Sequence, residues 1–500
     1  MKRKIYILLL SLIVLITPFF YNYSYLNKCS DMKELAVCLE REVPQLLTKY
    51  KIPGASISII ENAQVEWIGT FENERIVDQS KIDRDTVFQV ASISKSVTAL
   101  GIMKLVEQGK IELDAPIDKY VTRWKIPESI YDIKQVTVRR LLSHTSGLSN
   151  GGGYQGYSPY KSLPSIEESL NGIEGKAKPV ELICEPCTKY IYSGGGYLLL
   201  QLLIEEVTGI DFNEYMKIHV LKPAHMTDSS FQWEESLHSR TAKAYDKDLN
   251  QIPNYLYVEE AAAGLYTTID DISQFLISEI NSFNDNGVGN VLDMEIMKQV
   301  YTPVMEIPSI LGNGKVALGH FIDEPKAGIE LITNNGSNRG WRANFTINPN
   351  GKTGIAILTN GDNGNYLINE VLDTWYDVSL NAKSNISRIR YLILASTYSI
   401  SFFLILWSAI SLYLLMKGIR NGSRKMTLLK NKYTLFLKCC ICIFLMCFTY
   451  IFKSNISSIL SFADPNIENV IFIALLMRVV VGISQIVFGR TRDMNVDSST

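Results

Sequence analysis

Three apolar stretches crowd the end of this chain, at 391–416, 433–452 and 470–488, and each is near the length a helix needs to cross a bilayer. Buried core helices of a soluble protein seldom cluster in this way, so the three are predicted to be transmembrane. A shorter apolar run at 5–20 follows Lys2, Arg3 and Lys4, the order of a secretory signal peptide or a signal anchor. No small-x-small cleavage site follows it, which favours an uncleaved anchor. The loop after the first C-terminal span carries Lys417, Arg420, Arg424, Lys425, Lys430 and Lys432, whereas 453–469 carries Lys453 alone. The cation-rich loop is therefore expected in the cytoplasm. Lys2 to Lys4, Arg490 and Arg492 agree with that orientation, and Lys383, Arg388 and Arg390 oppose it mildly.

The expected division is a signal peptide or anchor at 1–28, an extracytoplasmic domain at 30–385, three transmembrane helices within 386–490 and a cytoplasmic tail at 491–500. Arg478, inside the last span, is expected to face other helices or a polar pocket rather than lipid.

With 500 residues, 47% hydrophobic, and a net charge of −2, the chain has room for a large globular domain and lacks the basic excess of a nucleic-acid binder. The five histidines are scattered at 144, 219, 225, 238 and 320 and suggest no metal cluster. Cys439, Cys440, Cys442 and Cys447 fall in one membrane span and read as thiols in an apolar setting. Cys29/Cys38 and Cys184/Cys187 fall in the external part, where disulfides persist. Cys184-Glu-Pro-Cys187 lacks the second Cys/His pair of a zinc site and the βαβ setting of a redox motif. No cofactor is implied.

Within 30–385, helical periodicity at 32–51 precedes alternating strands at 54–60 and 65–68, which read as a hairpin. A mainly helical middle follows. Strand patterns return at 315–321, 329–333, 344–348 and 353–359, before a closing helix at 367–378. Strands from both ends with helices between predict an α+β domain with one antiparallel sheet and a helical subdomain.

The chemistry concentrates at Phe88-Gln-Val-Ala-Ser-Ile-Ser-Lys-Ser. There an extended run gives way to helical spacing, and Ser92 and Lys95 stand one turn apart. A serine hydroxyl is a weak nucleophile alone, and a lysine whose charged form is disfavoured can take its proton. Ser-x-x-Lys also occurs at Ser30/Lys33 and Ser158/Lys161, so the spacing alone leaves a plain capped helix open.

Four further segments accompany it: Gly109-Lys-Ile-Glu-Leu-Asp-Ala-Pro-Ile, Val138-Arg-Arg-Leu-Leu-Ser-His-Thr-Ser-Gly-Leu, Tyr190-Ile-Tyr-Ser-Gly-Gly-Gly-Tyr and Ala262-Ala-Gly-Leu-Tyr-Thr-Thr-Ile-Asp-Asp-Ile. In this order they resemble the serine β-lactamase and penicillin-binding-protein superfamily in its class C branch, over about residues 35–380. The resemblance implies that Ser92 is the acylated nucleophile, Lys95 its partner and Tyr192 the phenol that relays the proton to the leaving amine. It gives His144 a packing or supporting role, and it places the backbone N–H of Ser337 beside that of Ser92 as an oxyanion hole.

Two departures stand out. Gly194 replaces the asparagine of the tyrosine motif, and Asn334-Asn335-Gly336 replaces the cation-bearing third motif. Capture of a β-lactam or terminal carboxylate is thereby put in question, with Arg339 and Arg342 as candidate substitutes or as plain surface charges. Asn334, Gly336, Gly194 and Ser337 are the expected oxyanion and substrate-binding positions. The loop that begins Asn150-Gly-Gly-Gly-Tyr reads as a lid or as a surface loop.

The layout resembles the membrane-tethered, prodrug-activating D-Asn peptidases of the colibactin-peptidase type. This implies hydrolysis of an amide next to a D-residue, with removal of an N-acyl-D-asparagine cap as the sharper version and a transporter as a candidate partner of the membrane helices. The alternatives are a D,D-peptidase or β-lactamase-like cell-wall enzyme, and a non-catalytic membrane sensor.

Overall fold

The computed structural model describes residues 29–76, 81–284, 290–307, 314–326, 328–426 and 467–488, with isolated helical positions between 436 and 450. The chain divides between Ile386 and Ser387 into two compact units.

The first unit opens with helix α1 (Met32–Tyr50), capped by the Asp31 side chain and ended by Lys51 in the left-handed conformation. The hairpin β1 (Gly54–Glu61) and β2 (Gln64–Glu72) follows. Helix α2 (Ile93–Glu107) is buried on almost every side, as its lack of a polar face requires. Helices α3 (Gly194–Thr208) and α4 (Ile269–Phe283) complete the main helical layer. The chain then returns to the sheet through β3 (Met305–Ile307), β4 (Gly314–Val316), β5 (Phe321–Lys326), β6 (Ile329–Asn338), β7 (Trp341–Asn348) and β8 (Thr353–Thr359), and closes with α5 (Gly364–Leu380).

One eight-stranded sheet has the order β2-β1-β8-β7-β6-β5-β4-β3. The antiparallel pairing of β1 with β8, from Ala55↔Thr359 to Ile60↔Gly354, joins the first strand to the last. Leu35, Leu39, Val371 and Trp375 of α1 and α5 pack with Ile57, Ile355 and Ile357 on one face of the sheet. Phe345, Ala356 and Leu358 belong to the larger core shared with α2, α3 and α4. The sheet is thus buried on both faces, and α2 lies in the second layer beside β6 and β7.

The expected α+β architecture holds, with one correction among the strands. The single strand predicted at 315–321 is two, β4 and β5, separated by a turn in which Gly319 has φ +75°. A Cβ at Gly319 would lie 2.4 Å from the Ala99 Cβ, so the turn presses directly on α2. Pairing to β7 also carries β6 well past the predicted end at 333, to Asn338.

In the second unit, helices α6 (Asn385–Arg420), whose first two residues precede the boundary, and α7 (Ile467–Val487) are described. Both contain segments long and apolar enough to cross a membrane, 387–420 and 469–487. They match two of the three predicted spans; most of the third, 433–452, and the run at 5–20 lie outside the described residues. Ile467, Ile471 and Leu475 pack with Ile393, Leu394, Tyr398 and Leu404. The Arg478 guanidinium stacks 3.9 Å from the centre of the Trp407 ring, so this cation faces a helix, as its place in the span suggested.

Candidate active site

The strand pair Phe88–Gln89 with Tyr266–Thr267 brings the chain to the mouth of α2. Ala91 takes φ +48°, a conformation an L-residue seldom adopts, and turns the chain so that Ser92 opens the helix. The Ser92 side chain makes no capping hydrogen bond. Its Oγ instead accepts from Lys95 Nζ at 3.2 Å and from the Tyr192 hydroxyl at 2.7 Å. The three residues predicted to carry the chemistry therefore meet at one oxygen.

Lys95 is 2% exposed. Its ammonium group also donates to the Ala262 carbonyl at 2.7 Å and lies 4.9 and 5.5 Å from the ring centres of Tyr192 and Tyr197. Among the described residues no carboxylate pairs with it, so the lysine is held by one carbonyl and two aromatic faces. Tyr192 reaches Ser92 from just ahead of α3, where the Ser193 side chain accepts from the Gly196 N–H as N-cap. Tyr192 is 36% exposed.

His144 lies beneath Tyr192, the ring centres 4.4 Å apart. Its Nδ1 accepts the Ser193 N–H at 3.1 Å and so needs a lone pair. Burial, with Lys95 adding to it, holds the imidazole well below its ordinary pKa. A histidine held neutral thus packs against the Tyr192 ring and accepts from the backbone beside it.

The third motif runs along β6. A Cβ on Gly336 would lie 2.1 Å from the Val90 carbonyl oxygen, so only glycine lets the strand come this close to the turn before Ser92. The Asn335 N–H points off the β7 ladder and donates to Asn334 Oδ1 at 2.8 Å. Ser337 follows Gly336 on the same strand, paired with Arg342 of β7.

Asn334 lies elsewhere than its predicted place at the substrate. Its Nδ2 donates to Ser96 Oγ at 2.8 Å, Ser92 O at 3.3 Å and Gly319 O at 3.4 Å, tying β6 to α2 inside the protein. The two candidate arginines are held differently. Arg342 pairs with Asp362 at 2.9 Å and donates to the carbonyls of Asn338 and Trp341. Arg339 stacks 4.0 Å from the centre of the Tyr255 ring at the surface.

Residues of no recognisable motif support the site. Asn150 accepts the Gly194 N–H through Oδ1 at 2.8 Å and the Gly195 N–H through its carbonyl at 2.6 Å, which satisfies the first amides of α3. Buried Glu259 accepts from the Gly153 N–H at 2.7 Å and the Ser169 hydroxyl at 2.5 Å. These contacts fix the glycine-rich loop against the site. Its tyrosine–glycine composition was the only sign of them in the sequence. Outside the site, Cys29, Cys38, Cys184 and Cys187 are all thiols, with the Cys29 and Cys38 sulfurs 2.6 Å apart.

The chain is 24% identical over 329 residues to Protein flp of Staphylococcus aureus (strain MRSA252), a match covering 63% of this chain and 60% of that protein. It is 26% identical over 236 residues to the teichoic acid D-alanine hydrolase of the same strain, covering 46% of this chain and 55% of that protein. The chain thus spans about three fifths of the length of the curated relatives it matches. The octameric penicillin-binding protein homologue from Pyrococcus abyssi superposes with a TM-score of 0.55 at 28% identity, over 65% of this chain and 73% of that one. The profile of the family described as Beta-lactamase matches residues 39–370, and the chain belongs to that family of serine hydrolases.

Proposed function

We propose that this protein hydrolyses an amide or ester on the carbonyl side of a D-residue, through an acyl-enzyme on Ser92. The observation that carries the reading is the convergence of Lys95 Nζ and the Tyr192 hydroxyl on Ser92 Oγ. In this mechanism Ser92 Oγ attacks the substrate carbonyl carbon while its proton passes to whichever of Lys95 and Tyr192 is in its base form. The carbonyl oxygen, now an anion, is received by the backbone N–H groups of Ser92 and Ser337. The pair of neighbours then protonates the leaving group, and water enters by the reverse path to release the acid.

Preference for a D-residue is supported by the relative named a teichoic acid D-alanine hydrolase. A leaving group without a terminal carboxylate is supported by Asn334 and Arg342, both turned into the protein where the third motif would hold a cation. That disfavours the cell-wall D,D-peptidase reading. Removal of an N-acyl-D-asparagine cap remains one form of the proposal, now resting on the membrane layout alone, because the Asn334 amide is directed away from the cleft. Attachment to a membrane through α6 and α7, with the hydrolase domain outside, completes it.

The test is labelling of full-length protein with a D-alanyl thioester, followed by hydrolysis of matched D- and L-aminoacyl amides. Acylation lost in Ser92→Ala with turnover of the D-series supports the reading. Absence of any acyl adduct supports a non-catalytic sensor instead.

A further inference from the structure

The space that a side chain at position 194 would fill is occupied from another part of the chain. A Cβ on Gly194 would lie 1.7 Å from the Tyr154 hydroxyl oxygen and 2.2 Å from Cζ of the same ring. Tyr154 is delivered there by the loop that Asn150 and Glu259 anchor. Gly151, Gly152 and Gly156 take φ of +53°, +75° and +74° in that loop. A Cβ at Gly152 would meet both Glu259 Oε1 and the Tyr154 ring at 2.9 Å, so the loop must be this bare to seat the ring.

The Tyr154 hydroxyl is buried and has no hydrogen-bond partner among the described residues. A tyrosine carries such an unpaired group only where something outweighs its cost. Gly194, against which the ring is seated, stands two residues after Tyr192, whose hydroxyl lies 2.7 Å from Ser92 Oγ.

We propose that Tyr154 is a specificity-determining residue: its ring, seated in the place of a side chain at 194, limits the acyl side of the substrate beside Ser92 to a small residue of D-alanyl size. This rests on the reading of the protein as a D-acyl hydrolase. It accounts for the pairing of a glycine in the tyrosine motif with a tyrosine in a glycine-rich loop, since either change alone would leave a clash or a hole.

The test uses the full-length, detergent-purified protein and compares kcat/KM for D-alanyl and D-phenylalanyl p-nitroanilides. The wild type is expected to favour D-alanyl, and Tyr154→Ala and Tyr154→Val to shift the ratio toward D-phenylalanyl by roughly tenfold or more. Tyr154→Phe, which keeps the ring, is expected to keep the preference. Gly194→Asn is expected to lower the unfolding midpoint alone and to recover it when combined with Tyr154→Ala. Wild-type turnover with a ratio that neither Tyr154→Ala nor Tyr154→Val moves overturns this proposal alone. A wild type that cleaves neither substrate and forms no Ser92 adduct overturns the hydrolase reading and this proposal with it.

Discussion

The Tyr192 hydroxyl lies 2.7 Å from Ser92 Oγ, although the two residues are a hundred positions apart in sequence and sit ahead of different helices. Tyr192→Phe removes that hydroxyl and leaves the ring on His144. We expect kcat to fall by about 10²–10⁴-fold, with the unfolding free energy unchanged to within ~0.5 kcal/mol. Steady-state kinetics on a D-alanyl amide and urea unfolding check the two halves.

Asn334 is predicted to act on stability. Asn334→Ala strips a buried amide that joins Ser96, the Ser92 carbonyl and the Gly319 carbonyl. The expected loss is about 1–3 kcal/mol of unfolding free energy, with KM for an uncharged amide substrate little altered. A large rise in KM with stability intact would instead place Asn334 at the substrate.

Gly336→Ala tests the approach of β6 to the nucleophile turn. The added methyl would meet the Val90 carbonyl 2.1 Å away, so the strand must retreat from Ser92. Overpacking of this kind costs roughly 1–3 kcal/mol. Acylation should slow as well, because the Ser337 N–H moves with the strand.

Acid sensitivity follows from His144. Its folded-state pKa lies well below the 6.5 of an unburied histidine, from burial first and Lys95 second. The unfolded chain therefore binds a proton that the folded chain refuses as pH falls through 6.5. This contribution to stability is fully present above that pH and is lost below it, by about 1.4 kcal/mol for each unit of depression traversed. His144→Asn removes the titration, and asparagine tolerates the φ of +57° at this position. Unfolding curves at pH 7.5 and pH 5 should show a smaller acid loss in the variant than in the wild type.

Much of this was legible in the sequence. Helical spacing sets Ser92 and Lys95 one turn apart, but the resemblance carried by the ordered motifs singles them out and alone points to Tyr192. Helices α1 and α5 and strands β1 and β8 follow from periodicity. The direction of Asn334 was not legible, since the face a residue takes along β6 depends on where the Gly319 turn presses on α2. Nor was the place of Tyr154, which depends on a distant glycine leaving room for it. Both are consequences of packing between segments far apart in the chain, where propensity carries no information.

The account rests on a covalent bond at Ser92. Intact-protein and peptide mass spectrometry after brief exposure to a D-alanyl thioester tests it directly. A single D-alanyl adduct on the peptide containing Ser92, absent from Ser92→Ala and slowed in Tyr192→Phe, is the predicted result. An adduct on another residue, or turnover that survives in Ser92→Ala, would contradict it.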